Sequence, residues 1–197
     1  MQRFCFSDRL SQEQPMSELP MSPVTDSHHK PTQRPKLVLI GNGMAGIRTV
    51  EELLSLAPDK YDITVIGEEN IGNYNRIMLS PVLAGETTLK DIILNDDQWY
   101  QQHGIRFFKG DKAKAIHRTQ KIVQTESGTE IPYDKLLLAT GSKAVRLPIP
   151  GRDLKNVLTF RDIKDVDQML ALSREKQRAV VIGGGLLGLE AANGLNA

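Results

Sequence analysis

Cysteine is almost absent from this sequence. The one present, Cys5, cannot form an internal disulfide, a Cys-x-x-Cys redox pair or a cysteine-ligated cluster. The four histidines, His28, His29, His103 and His117, have no metal-ligand spacing to Cys, Asp or Glu, and the pair at 28–29 reads as solvated. Charge of one sign is also missing. A formal net charge of +1 over 197 residues offers no electrostatic case for nucleic acid or an anionic membrane. No apolar run approaches the ~20 residues of a membrane span. Residues 1–35 lack what a core needs: Pro15, Pro20, Pro23, Pro31 and Pro35 are scattered among Ser, Gln and charged residues. Such a stretch cannot offset its ordering entropy and reads as a flexible tail. It has no apolar signal-peptide core, and its acids Asp8, Glu13, Glu18 and Asp26 argue against a transit peptide, so a cytoplasmic location is expected.

What the sequence does have begins at Lys36. The apolar run Leu37–Ile40 leads into Gly41, Gly43 and Gly46, spaced G-x-G-x-x-G. A strand, a glycine turn and a helix in that order suit a dinucleotide pyrophosphate. The turn needs glycine, the phosphates need bare backbone, and the helix N-terminus faces the anion. Ile47, Val50, Leu53, Leu54 and Ala57 recur at helical spacing up to Pro58, predicting a helix from about Gly43 to Ala57. Asp62–Ile66 reads as a second buried strand, completing a right-handed βαβ unit. Glu68 follows it, about 20 residues past the glycines, where a carboxylate can accept both hydroxyls of a ribose. It would repel a 2′-phosphate. Residues 73–85 carry Arg76 in a stretch that packing periodicity does not explain. A fixed guanidinium there suits a phosphate or an electron-rich ring, and a surface loop with a short helix is the equal alternative.

Further along, a helix is expected from Asp96 to His103, with Trp99 and Tyr100 in the core, and then a strand at 105–108. Runs at 112–117, 121–125 and 129–131 predict a small antiparallel meander. Leu136–Leu138 suits a central parallel strand, with Thr140 and Gly141 at the ligand edge of its sheet. Pro148, Pro150 and Gly151 make a stiff connector, and Asp162 can cap a helix carrying Ile163, Val166, Met169 and Leu170. Then the opening device returns: a buried strand at 179–182, glycines at 183, 185 and 188, and a helix start. Two such fingerprints a domain apart are far more specific than one.

On the runs GNGMAG from Gly41, NYNRIMLSPVLAGE from Asn73, YDKLLLATGS from Tyr133, TFRDIKDVD from Thr159 and VVIGGGLLGLEAANGL from Val180, the chain resembles a known family. This is the FAD- and NAD(P)-dependent pyridine nucleotide-disulfide oxidoreductase-like family. Within it the chain is most similar to the N-terminal reductase part of the assimilatory NAD(P)H nitrite reductase large subunits. The resemblance implies an α/β architecture. Residues 36–145 would form a Rossmann-like FAD-binding domain with an inserted antiparallel meander, incomplete without a C-terminal return. Residues 146–197 would be a linker and the first strand–helix unit of a second Rossmann-like, NAD(P)-binding domain.

The same resemblance implies that Gly41, Gly43, Ala45 and Gly46 line the FAD pyrophosphate and Glu68 its AMP ribose. Arg76 would lie against the FAD, Ala113 would offer backbone to the adenine, and Thr140 and Gly141 would close over the dinucleotide. Gly183, Gly185 and Gly188 would begin the NAD(P)H site, with Glu190 near the flavin–nicotinamide contact. No metal ligand and no acid–base residue is expected. Disulfide reductases of this fold carry a cysteine pair after the first fingerprint, and coenzyme A disulfide reductase-like members one near Arg76; neither occurs here. Ferredoxin-reducing relatives often have lysine where this chain has Pro81. The implied activity is hydride transfer from NAD(P)H to FAD, with electrons passed on to an iron–sulfur cluster and siroheme beyond Ala197, where nitrite would be reduced. A small subunit or a homodimer is a candidate partner; nucleic acid and membrane are not. The 197 residues alone are expected to bind FAD weakly at best and not to turn over. Two alternatives stay open: a flavin reductase for a rubredoxin or ferredoxin, and a non-catalytic, truncated nucleotide-binding module.

Overall fold

The computed structural model describes residues 33–174 and 178–196. Most of the expected tail, with Cys5, His28 and His29, lies outside the described residues.

The frame is a parallel sheet. Strand β1 (Lys36–Ile40) runs into helix α1 (Met44–Leu56) and returns as β2 (Asp62–Gly67), in register from Lys36 opposite Asp62 to Ile40 opposite Ile66. Side chains alternate across a strand, so β1 sends Leu37 and Leu39 to one face and Val38 and Ile40 to the other. On the first face Leu37 and Leu39 pack with Ile47 and Val50 of α1, with Ile63 and Val65, and with Tyr100. Burying side chains of this size contributes about 1.5–3 kcal/mol each. Tyr100 stands on α3 (Asp97–Gln102), whose N-cap Asp96 accepts from the Trp99 backbone N–H. After α3 comes β5 (Arg106–Lys109), parallel to β2.

The other face is covered by the meander. Strands β6 (Ala113–His117), β7 (Ile122–Thr125) and β8 (Glu130–Pro132) pair antiparallel, and Val123 and Ile131 pack on Val38, Ile40 and Ile66. The layers are therefore helix, parallel sheet and antiparallel sheet, a mixed α/β Rossmann-like arrangement as the sequence suggests. Strand β9 (Lys135–Leu138) pairs with β1, giving the order β5-β2-β1-β9. Among the described residues it stands at the edge of the sheet, where the sequence reading expected a central strand. No strand pairs with its outer side among the described residues, and Leu138 is correspondingly exposed.

Residues 73–85 contain the short helix that one sequence alternative expected. A two-residue strand β3 (Asn73–Tyr74) pairs with β4 (Ile93–Asn95), and a 3-10 turn (Arg76–Met78) leads into the short helix α2 (Leu79–Leu83). Leu79, Val82 and Leu83 form a separate cluster with Val166 of α4 (Ile163–Ser173) and Ala191 of α5 (Leu186–Asn196). Asp162 caps α4 in a reciprocal capping box with Asp165. The buried strand expected at 179–182 is absent. That segment has no ladder partner among the described residues, and Val180 and Ile182 are exposed. A strand is held by its neighbours' hydrogen bonds, and propensity alone does not form one.

Candidate dinucleotide site

The site forms where β1 ends. The Gly41 backbone N–H donates to the Ile66 carbonyl at 2.9 Å, holding the turn against β2. Gly41 has φ +111°, and a Cβ there would lie 2.1 Å from the Ala139 carbonyl oxygen. Only glycine fits, because the end of β9 passes directly under the turn. At Gly46 a Cβ would sit 2.9 Å from the Gly41 carbonyl oxygen, so the first turn of α1 can close onto the loop only without one. Gly43 is the N-cap of α1; no side chain caps that terminus and no acid occupies its first turn. Nothing lies within 4 Å of the point where a Gly43 Cβ would stand. The result is a helix N-terminus with free N–H groups, a favourable dipole and bare backbone in front of it.

A cleft of about 540 Å³ opens at this carboxyl edge, and Gly41, Gly43, Glu68, Arg76, Ala113, Thr140 and Gly141 all border it. Seven residues from five segments of the sequence are thus gathered into one concavity. Ala45 and Gly46 do not border it: Ala45 is exposed on α1 and Gly46 is buried beneath the loop. Glu68 follows β2, and its carboxylate accepts from Lys112 Nζ at 2.8 Å. Arg76 is half-buried. It pairs with Glu69, donates to the Arg161 carbonyl at 3.3 Å, and lies over the Tyr74 ring at 4.9 Å. The Tyr74 hydroxyl donates to the same Glu69 carboxylate at 2.7 Å. Burial, reinforced by Glu69, raises the Tyr74 pKa far above its ordinary value, so the phenol keeps its proton.

The second glycine run repeats the local geometry of the first. Gly183 has φ +126°, and a Cβ on Gly188 would stand 2.1 Å from the Gly183 carbonyl oxygen. Gly183, Gly185 and Gly188 lie away from the first cleft; Gly188 borders a cavity of about 900 Å³ between α4, α5 and residues 179–182. Glu190 is the link. Its carboxylate accepts from Ser80 Oγ of α2 at 2.6 Å, and both border a smaller cavity shared with Arg76 and Met44.

Sequence reasoning missed three polar residues around the first loop. Asn42, between the two glycines, accepts from the Tyr100 hydroxyl at 2.6 Å, and its backbone carbonyl accepts from Asn73 Nδ2 at 3.0 Å. The available signal was Asn42 itself, a polar residue set inside a glycine turn. Among the described residues, no three His, Cys, Asp or Glu side chains are grouped to hold a metal ion. No helix among them is long and apolar enough to cross a membrane.

Residues 35–197 match the model of the pyridine nucleotide-disulphide oxidoreductase family. The chain belongs to this family. Its relatives include a Bacillus subtilis (strain 168) NAD(P)H nitrite reductase, 54% identical over 160 residues, which cover 81% of this chain and 20% of the relative. An assimilatory nitrate reductase electron transfer subunit from the same organism is 48% identical over 163 residues, covering 83% of this chain and 21% of the relative. The crystal structure of NADH:rubredoxin oxidoreductase from Clostridium acetobutylicum superimposes with a TM-score of 0.74 at 29% identity, covering 83% of this chain and 42% of that one. The chain spans about a fifth of the length of the two curated relatives. Within the family its sequence is closely related to the nitrite reductases.

Proposed function

We propose that this chain is the flavoprotein part of an NAD(P)H-dependent nitrite reductase. The observation that carries the reading is the 54% identity to a nitrite reductase across nearly all of the described body. The residues present fit FAD: the Gly43 backbone is open, the α1 N-terminus is uncapped, and both face the same cleft as Glu68 and Arg76. In this reading Gly41, Gly43 and the first turn of α1 hold the pyrophosphate, while Ala45 and the buried Gly46 shape the loop. Glu68 accepts from the AMP ribose with Lys112 fixing its carboxylate, Ala113 offers backbone to the adenine, and Thr140 and Gly141 close the cleft. Arg76 lies against the dinucleotide. Gly183, Gly185 and Gly188 begin the NAD(P)H site, and Glu190, held by Ser80, stands towards the meeting of the two nucleotides. Residues 36–145 are the FAD-binding domain; 146–197 are a linker and the opening unit of the second.

Held in this cleft, FAD would supply the chemistry of hydride acceptance from NAD(P)H and one-electron transfer onward to metal centres of the complete enzyme. This chain's residues bind, orient and exclude water; none has to act as nucleophile or base. The test is anaerobic turnover of the full-length protein with NADH or NADPH and nitrite. Ammonium formation is expected. A protein that reduces rubredoxin or ferredoxin but leaves nitrite untouched would support the second reading, a reductase for a small redox protein. That reading draws on the superposition with the rubredoxin oxidoreductase.

A further inference from the structure

A G-x-G turn has a weakness for a binding loop. Two of its three residues carry no side chain, and glycine loses more backbone freedom on ordering than any other residue. The only side chain in Gly41–Gly43 is that of Asn42, which borders the cleft and is half-buried, with both polar atoms of its amide hydrogen-bonded into the body of the fold. Its Oδ1 accepts from the Tyr100 hydroxyl at 2.6 Å, and its Nδ2 donates to the Ile71 carbonyl at 3.3 Å. Its backbone carbonyl accepts from Asn73 Nδ2 at 3.0 Å. The three partners come from α3, from the segment after β2, and from β3. Both outer anchors are buried, Tyr100 at 2% exposure and Asn73 at 2%. The Tyr100 ring is itself fixed, stacked on Phe107 at 4.3 Å and edge-on to Trp99 at 5.0 Å.

We propose that Tyr100 and Asn73 are positioning residues for the pyrophosphate loop, holding Asn42 so that the Gly41–Gly43 backbone is already in its binding conformation before a dinucleotide arrives. The inference rests on the FAD reading of the cleft and deepens it. Three hydrogen bonds converge on the one residue that can anchor the turn, and the two side-chain anchors, Tyr100 and Asn73, do not border the cleft. The ordering cost is met during folding, so a diphosphate ligand meets preset N–H donors. Tyr100 is buried and does not border the cleft, so it is not a ligand contact. Its effect on binding must pass through Asn42.

Tyr100→Phe removes the hydroxyl and keeps the ring stacking. Asn73→Ala removes the second anchor. Binding is measured on the full-length protein with FAD, ADP and adenosine, and amide hydrogen exchange of residues 41–46 is followed without ligand. Tyr100→Phe should weaken FAD and ADP about tenfold, the scale of one buried hydrogen bond with its acceptor left unpaired. Adenosine, which has no phosphates, should bind as to the parent protein. Exchange at 41–46 should accelerate by a similar factor while β2 stays protected. Unchanged ADP affinity or unchanged loop exchange in both variants overturns the proposal. So does an equal loss for adenosine, since that marks a general loosening. A parent protein that binds neither FAD nor ADP overturns the FAD reading instead.

Discussion

Gly43→Ala separates a binding glycine from a structural one. In the ligand-free protein this substitution should be nearly silent. Gly43 sits at φ −85° and ψ 171°, which alanine adopts, and a Cβ there meets nothing within 4 Å. Alanine is a poorer N-cap than glycine by about 0.5–1 kcal/mol. The unfolded chain loses freedom worth about 0.4–1 kcal/mol, which offsets it. The same methyl occupies the space where a pyrophosphate would touch the backbone. FAD at about 100 times its Kd stabilises the parent protein by about 2.7 kcal/mol. For a body of this size that raises Tm by about 5–11 °C. Thermal unfolding with and without FAD is the assay. Gly43→Ala should keep the ligand-free Tm and lose most of the FAD-induced rise. Gly41→Ala should fail differently: its positive φ costs about 1–3 kcal/mol, and overlap with the Ala139 carbonyl adds about 1–3 kcal/mol. Its ligand-free Tm should fall by about 5 °C or more. A Gly43→Ala protein with the full FAD-induced rise would refute the pyrophosphate reading of the loop.

Asp162→Ala removes the capping box of α4 and should cost about 1 kcal/mol, read as a Tm drop of about 2–4 °C. The Asp111 carboxylate accepts from the Ser127 hydroxyl and backbone N–H, and these bonds hold its pKa below the ordinary value. A depressed folded-state pKa contributes stability above the unfolded value, about 3.9, that is lost as pH falls through the folded one. Asp111→Ala should therefore lower the urea midpoint at pH 7. The gap to the parent protein should shrink as the pH falls below 4.

The parallel framework was legible because its signals are local and redundant. The period of α1, the apolar runs of β1 and β2 and the Ser127-Gly128 turn of the meander each stand within a few residues. Gly41, Gly43, Glu68, Arg76 and Thr140 stood out in the sequence by residue type and spacing, and the fold brings them to one cleft, whereas Gly46 and the second glycine run lie outside it. What escaped depends on contacts distant in sequence. Leu136–Leu138 has the composition of a central strand, but position in a sheet is set by neighbours, and β9 has one among the described residues. The apolar run at 179–182 looks like β1 yet has no partner among the described residues. Tyr100 reads as a core residue, and it is one. Its hydroxyl reaches Asn42, 58 residues away, and no pattern in either segment announces that bond.

The turn at Gly41 is bounded below by the Ala139 carbonyl, and β1 is tied to the approach to β9 by the bond from the Lys36 N–H to Asp134, 98 residues along. Synthesis runs from the N-terminus, so β1, α1 and β2 leave the ribosome well before β9 exists. During that interval one side of β1 has no strand and the glycine loop has no floor. Parallel pairing of such long reach is slow and leaves edges open meanwhile. The loop that identifies this chain from its opening residues is among the last parts of the domain to take its working shape.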